Sequence, residues 1–180
     1  MAELGIPRAG VAITLLIWLM VAALPFSPAF AVPAPAGIPN FHVVAPGIYR
    51  GAAPTTQGLS ALKDMGIRTI IDLRISPKLV KLEKAQALAM GFSWINLPMG
   101  SEPPTQKQVD ILLATLCKAP AEPVFVHCQH GADRTGCMIG IYRVQVQDWS
   151  FAQAWPEMRR YGFKPRYTKL TAAVRSRAKR

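Results

Sequence analysis

The order of apolar and polar positions divides the chain into short strands and amphipathic helices. His42–Val44 and Ile48–Arg50, separated by Ala45-Pro46-Gly47, have the composition of a small hairpin. From Thr55 to Met65, Leu59, Leu62 and Met65 recur at helical spacing and Gly66 supplies a stop. Thr69–Leu73 predicts a short buried strand, Pro77–Met90 a helix closed by Gly91, and Ser93–Leu97 another strand. After the proline-rich loop Pro98–Pro104, Val109, Leu112, Leu113 and Leu116 place a helix running through Cys117. Pro123–His127 is a continuous apolar run of the kind buried on both faces. Helices follow from Arg134 to about Gln147, over Phe151–Tyr161 and over Tyr167–Arg177, with Trp94, Trp149 and Trp155 as packing residues. This alternation predicts an α/β fold, a central, mainly parallel sheet of four to five strands flanked by helices.

The first 31 residues follow a different pattern. Met1–Arg8 carries one acid and one base, Ala9–Leu24 is apolar and uncharged, and Ala29-Phe30-Ala31 has the small-x-small form of a cleavage site. The expectation is a signal peptide over residues 1–31, cleaved after Ala31, and a periplasmic or secreted protein. The alternative is an inner-membrane anchor over residues 9–24, although a spanning helix needs about 20 apolar residues. A Pro/Ala-rich linker over residues 32–40, one domain over residues 41–168 and a basic tail over residues 169–180 complete the expected organisation.

Charge and cysteine content narrow the classes. The formal charge is +11, and nine of the 21 basic residues lie from Arg159 onward, where there is no acid. A solvated basic helix and tail is the plain reading and an anionic membrane surface the sharper one. Export argues against nucleic acid as a partner. Cys117, Cys128 and Cys137 are too few, and odd in number, for a disulfide framework, so at least one is expected to be kept for its chemistry.

That chemistry is concentrated in His127-Cys128-Gln129-His130-Gly131-Ala132-Asp133-Arg134-Thr135-Gly136, which joins the buried strand to a helix start. Two glycines let the backbone curl so that amide N–H groups converge, and the helix adds its positive end. Arg134 offers a planar fork suited to two phosphate oxygens, and the same positive field favours a Cys128 thiolate. His127, Cys128 and His130, with Cys137, could instead ligate a metal, but the curl suits an anion and no second ligand cluster exists. Cys137 reads as a small core residue or a resolving thiol for Cys128, and Cys117 as a core residue.

Cys-x5-Arg-Thr-Gly, preceded by His and an apolar strand, resembles the signature of the cysteine-dependent protein tyrosine phosphatase superfamily. Val44–Gly51, Gly66–Arg74 and Asn96–Met99 are similar to the compact bacterial dual-specificity phosphatases, including exported ones. The resemblance implies a catalytic domain over residues 41–168. In it Cys128 attacks phosphorus to form a phosphocysteine, and Arg134 with the loop amides holds the phosphate oxygens. Thr135 assists departure of the sulfur, and His127 supports the loop. Gln129, His130, Gly131, Ala132, Asp133 and Arg134 would surround the phosphate. The family's general acid is usually an Asp on a loop some thirty residues before the cysteine; here Glu102 is the best placed. Asp133 is its rival, unless it turns away to bind Arg50, Arg74 or loop amides.

The resemblance implies no cofactor or metal, a monomer, and a phosphorylated protein as partner, with phosphotyrosine and also phosphoserine or phosphothreonine hydrolysed. A phosphoinositide or small-phosphoester phosphatase would share every one of these residues, although the loop has no lysine to meet a multiply charged headgroup. A rhodanese-like sulfurtransferase has no need of Arg-Thr-Gly at this spacing, and an inactive phosphate-binding module is the non-enzyme alternative.

Overall fold

The computed structural model describes Met1 and residues 34–179. The expected leader, its alternative as an anchor, and the start of the linker rest on residues 2–33 and lie outside the described residues. The elements run β1 (His42–Ala45), β2 (Ile48–Ala52), α1 (Thr56–Asp64), β3 (Thr69–Asp72), α2 (Pro77–Ala89), β4 (Ser93–Asn96), α3 (Gln106–Leu116), β5 (Val124–Cys128), α4 (Asp133–Val146), α5 (Phe151–Arg160) and α6 (Thr168–Arg175). Helix starts are fixed locally. The Thr55 side chain accepts from the Gly58 amide, and Thr105 with Gln108 and Ser150 with Gln153 form reciprocal capping boxes.

Five strands form one sheet in the order β1-β2-β5-β3-β4, parallel except for the β1–β2 pair. Because side chains alternate across a strand, Ile70 and Phe125 face one way and Ile71, Val124 and Val126 the other. The first set packs with Leu59 and Leu62 of α1 and Ala87 of α2. The second packs with α3, α4, α5 and α6 through residues such as Leu112, Met138, Met158 and Leu170. Covering both faces is what a parallel sheet requires, and it puts β5 at the centre with all five of its residues buried.

Two boundaries differ from the expectation. Pro and Ala dominate residues 32–40, yet Ile38 is buried, Pro39 accepts from the Ala52 amide at 2.8 Å, and Gly37 accepts from the Thr55 amide at 2.9 Å. The domain therefore begins within the stretch that composition marks as a linker. The stretch from 169 onward, set apart by its charge, is largely α6, whose Leu170, Ala173 and Val174 enter the core. Spacing of i, i+3 and i+4 outweighs the charge there.

Arg143 ties α4 to α5 and to β1. It donates to both Glu157 carboxylate oxygens and to the Val44 carbonyl at 2.9 Å, and its guanidinium lies 4.4 Å from the Trp149 ring centroid. Arg143→Met would leave Glu157 without its partner and is expected to lower stability by about 3 kcal/mol, read as a lower urea midpoint. Adding Glu157→Met should recover part of that loss.

Candidate active site

The parallel strands end together, and β5 delivers Cys128 opposite Ala52 at that edge, where α4 begins five residues later. Such a crevice beyond the carboxyl ends of the strands is where open α/β sheets hold ligands. The residues of the loop are shaped by where its carbonyls go. Gln129 O accepts from the Ala53 amide at 3.4 Å, His130 O from Asn40 Nδ2 at 3.2 Å and Gly131 O from Arg50 Nη2 at 2.7 Å. Across a trans peptide the N–H points opposite to the C=O, so the amides of His130, Gly131 and Ala132 are turned to the other side of the loop. Gly131 has φ +67, and a Cβ there would lie 2.4 Å from the Gly51 carbonyl carbon, so both the turn and the close approach require glycine.

Cys128 is 2% exposed and lines a depression of about 300 Å³ with His130, Asp133 and Arg134, bounded by Ile75 and Tyr167. Burial alone would push its thiol up. The Thr135 hydroxyl and amide, the Arg134 charge and the His130 amide outweigh it, and the thiol lies below its ordinary value. The Thr135 hydroxyl is buried with no other partner. An anion entering the depression therefore meets a sulfur prone to ionise, inward amides, a helix start and a guanidinium.

The two expected acids are placed differently. Glu102 is exposed, pairs with Lys169 at 2.6 Å and lines a neighbouring depression with Arg166 and Tyr167. Asp133 lines the Cys128 depression itself, and its Oδ1 accepts from the Lys164 amide at 2.8 Å. It thus meets a backbone amide rather than Arg50 or Arg74. Arg50 is fully buried; besides Gly131 it lies 4.7 Å from the Tyr161 ring centroid, and desolvation lowers its pKa to about 10.

Arg74 belongs to a buried group beneath the loop that sequence reasoning missed. His127 shares the sheet face of Phe125 and lies against α2, its Nε2 2.9 Å from Glu83 Oε1, although out of line for a hydrogen bond. Arg74 Nη2 spans Asp72 Oδ2 at 2.9 Å and Glu83 Oε2 at 2.5 Å. Asp72, Glu83 and His127 present ligand atoms within 4.8 Å of one another, which is cation-site spacing, but the Arg74 guanidinium already supplies the positive charge between the carboxylates. The metal set considered from sequence does not converge: the Cys137 thiol donates to Leu170 O at 3.6 Å, and His127 Nδ1 is 3.3 Å from Cys128 O. Burial pushes Cys137 up to about 12, which leaves it an inert core thiol, whereas Cys117 is exposed rather than in the core. One available signal for Glu83 was its place four residues before Ala87 on the inner face of a helix whose other charges are lysines.

Residues 33–176 match the family model described as "DSP-PTPase phosphatase fused to NAD+ Kinase". The chain is 32% identical over 142 residues to the dual specificity protein phosphatase TpbA of Pseudomonas aeruginosa strain UCBPP-PA14, covering 78% of this chain and 62% of that protein. It is 31% identical over 122 residues to the inositol diphosphatase DSP3 of Arabidopsis thaliana, covering 66% and 60%. The chain thus spans about three fifths of the length of both relatives. Among solved structures, P. aeruginosa TpbA superposes with a TM-score of 0.68 at 27% identity, over 83% of this chain and 91% of that one. A TpbA variant in complex with pTyr gives 0.67 over the same shares. With its five-stranded sheet, its Cys-x5-Arg loop and a family match over most of its length, the chain belongs to the DSP-PTPase phosphatase family of cysteine-based, TpbA-like dual-specificity phosphatases.

Proposed function

We propose that the protein is an exported protein phosphatase that hydrolyses phosphotyrosine, and also phosphoserine and phosphothreonine, through a phosphocysteine. The observation that carries this reading is the convergence on Cys128 of inward loop amides, the Arg134 guanidinium and the Thr135 hydroxyl, which together favour the thiolate. Cys128 Sγ attacks phosphorus as the ester oxygen departs, and the loop amides with Arg134 hold the three remaining oxygens where charge develops. Water then cleaves the phosphorus–sulfur bond, with Thr135 stabilising the departing thiolate. Asp133 lines the same depression and is assigned the proton for the leaving oxygen; Glu102 could take that role only by leaving Lys169. The TpbA complex with pTyr supports the phosphotyrosine reading.

A second reading has its own support. Inositol diphosphatases of A. thaliana and Saccharomyces cerevisiae are among the relatives, at 31% and 30% identity. A substrate panel separates the two: a phosphotyrosyl peptide turned over faster than a multiply phosphorylated inositol supports the protein phosphatase.

Hydrolysis of p-nitrophenyl phosphate should continue with chelator present and fall by about a thousandfold or more in Cys128→Ser. The reactive form of Cys128 is the ionised one, so kcat/KM should fall as pH drops through its lowered pKa. Thr135→Val removes one of the lowering contacts and should move this acidic limb to higher pH.

Asp133→Asn should slow an alkyl phosphate about a hundredfold and an aryl phosphate much less, because phenolates leave without a proton. Glu102→Gln should change neither. A selective loss on alkyl phosphates in Glu102→Gln alone would transfer the role to Glu102.

Export rests on the apolar run Ala9–Leu24 and on Ala29-Phe30-Ala31. Protein recovered from the periplasm should have Val32 as its first residue by N-terminal sequencing. Recovery in the membrane fraction with residues 9–24 intact would favour the anchor.

A further inference from the structure

A second depression, of about 390 Å³, adjoins the phosphate loop. Leu79 and Leu82 of α2 form one wall, Ala53, Pro54 and Thr56 another, and Gln129 of the loop closes its end. Consecutive residues join the two depressions: Arg74 and Gln129 line this one, whereas Ile75, Cys128 and His130 line the other. Ile75 and Leu82 are each 59% exposed and Leu79 40%, so three of the large exposed aliphatic side chains stand together beside the Cys128 entrance. The exposed Lys78 and Lys81 immediately precede the two leucines. Between Asp72 and Glu102 the sole acid is Glu83, which is turned inward to Arg74 and His127.

We propose that this groove is a recognition subsite for the protein segment flanking the phosphorylated residue, taking an apolar side chain of that segment between α2 and residues 53–56, with Lys78 and Lys81 favouring acidic neighbours. The inference rests on the phosphatase reading above and adds what the enzyme selects. Three observations favour a peptide as the occupant. The groove is concave, whereas a lipid surface lies against a convex face. Ala53, Pro54, Leu79 and Leu82 suit an aliphatic side chain, and Thr55, Thr56, Gln86 and Gln129 among them offer hydrogen bonds to a peptide backbone. It opens at Gln129, next to the cysteine, so a chain whose phosphate sits over Cys128 passes it within a few residues.

The test uses the mature protein and pairs of phosphotyrosyl peptides that differ only in Leu or Ser, scanned over three positions on each side of the phosphotyrosine. At one or two of these positions the Leu peptide should show a kcat/KM about tenfold higher than its Ser partner, a gain of the size one apolar contact confers. Leu79→Ala and Leu82→Ala should erase that preference, chiefly by raising KM, and leave p-nitrophenyl phosphate hydrolysis and the melting temperature unchanged. Equal rates for Leu and Ser at every position in the unaltered protein would overturn the proposal. So would variants that bind phosphatidylglycerol vesicles less well yet keep the peptide preference, an outcome that would assign this face to a lipid surface. If p-nitrophenyl phosphate is not hydrolysed at all, the phosphatase reading itself fails; fluorescence titration of the same peptide pairs then decides the subsite, since the affinity difference does not depend on turnover.

Discussion

The loop after β5 holds its shape because its carbonyls are claimed from behind. Asn40, Ala53 and Arg50 take the oxygens of residues 130, 129 and 131, and a planar trans peptide then leaves the corresponding N–H groups on the other side. A concave array of donors is unstable by itself, since aligned amides repel one another and prefer water. The fold makes it persist by burying Arg50 behind the loop and by packing Gly131 directly on the backbone of β2. The tendency of Cys128 to ionise follows from this arrangement as well as from its own neighbours.

Under the loop the charged residues form a second layer of constraint. Asp72 and Glu83 would repel in a buried site, and Arg74 between them turns that repulsion into a clamp linking β3 to α2. His127 packs on Phe125 and against Glu83, so the residue immediately before the cysteine is fixed from the sheet side. On the opposite face α4 is buried nearly all round, and Arg143 fastens it to α5 and β1. The site therefore sits on a wholly buried strand and on a helix buried nearly all round, which suits a centre that must hold its donors without reorganising.

Much of the fold was legible because each element carries a local signal. The apolar run that leads into Cys128 on β5, the glycine stops at Gly66 and Gly91, and the helical periods at Leu59 and Leu112 are properties of short segments, and a few residues suffice to read them. Charge misled at the boundary beside α6: the helix itself was legible, but its basic residues set 169–180 apart as a tail although Leu170, Ala173 and Val174 enter the core. Composition misled at Ile38 and Asn40, which proline and alanine surround but which the core and the loop use.

The sequence by itself determined the candidate centre, because Cys128, Arg134 and Thr135 lie within eight residues and the strand, curl and helix that orient them are encoded in the same stretch. What only the tertiary structure decided were relations between distant segments. Asn40 meets His130 across ninety positions and Arg50 meets Gly131 across eighty-one. The same holds for Glu83 against His127, for Asp133 turned to Lys164, and for the groove that α2 makes with residues 53–56. Such pairings leave no local period or propensity, since they depend on where the sheet order β1-β2-β5-β3-β4 brings chain segments side by side.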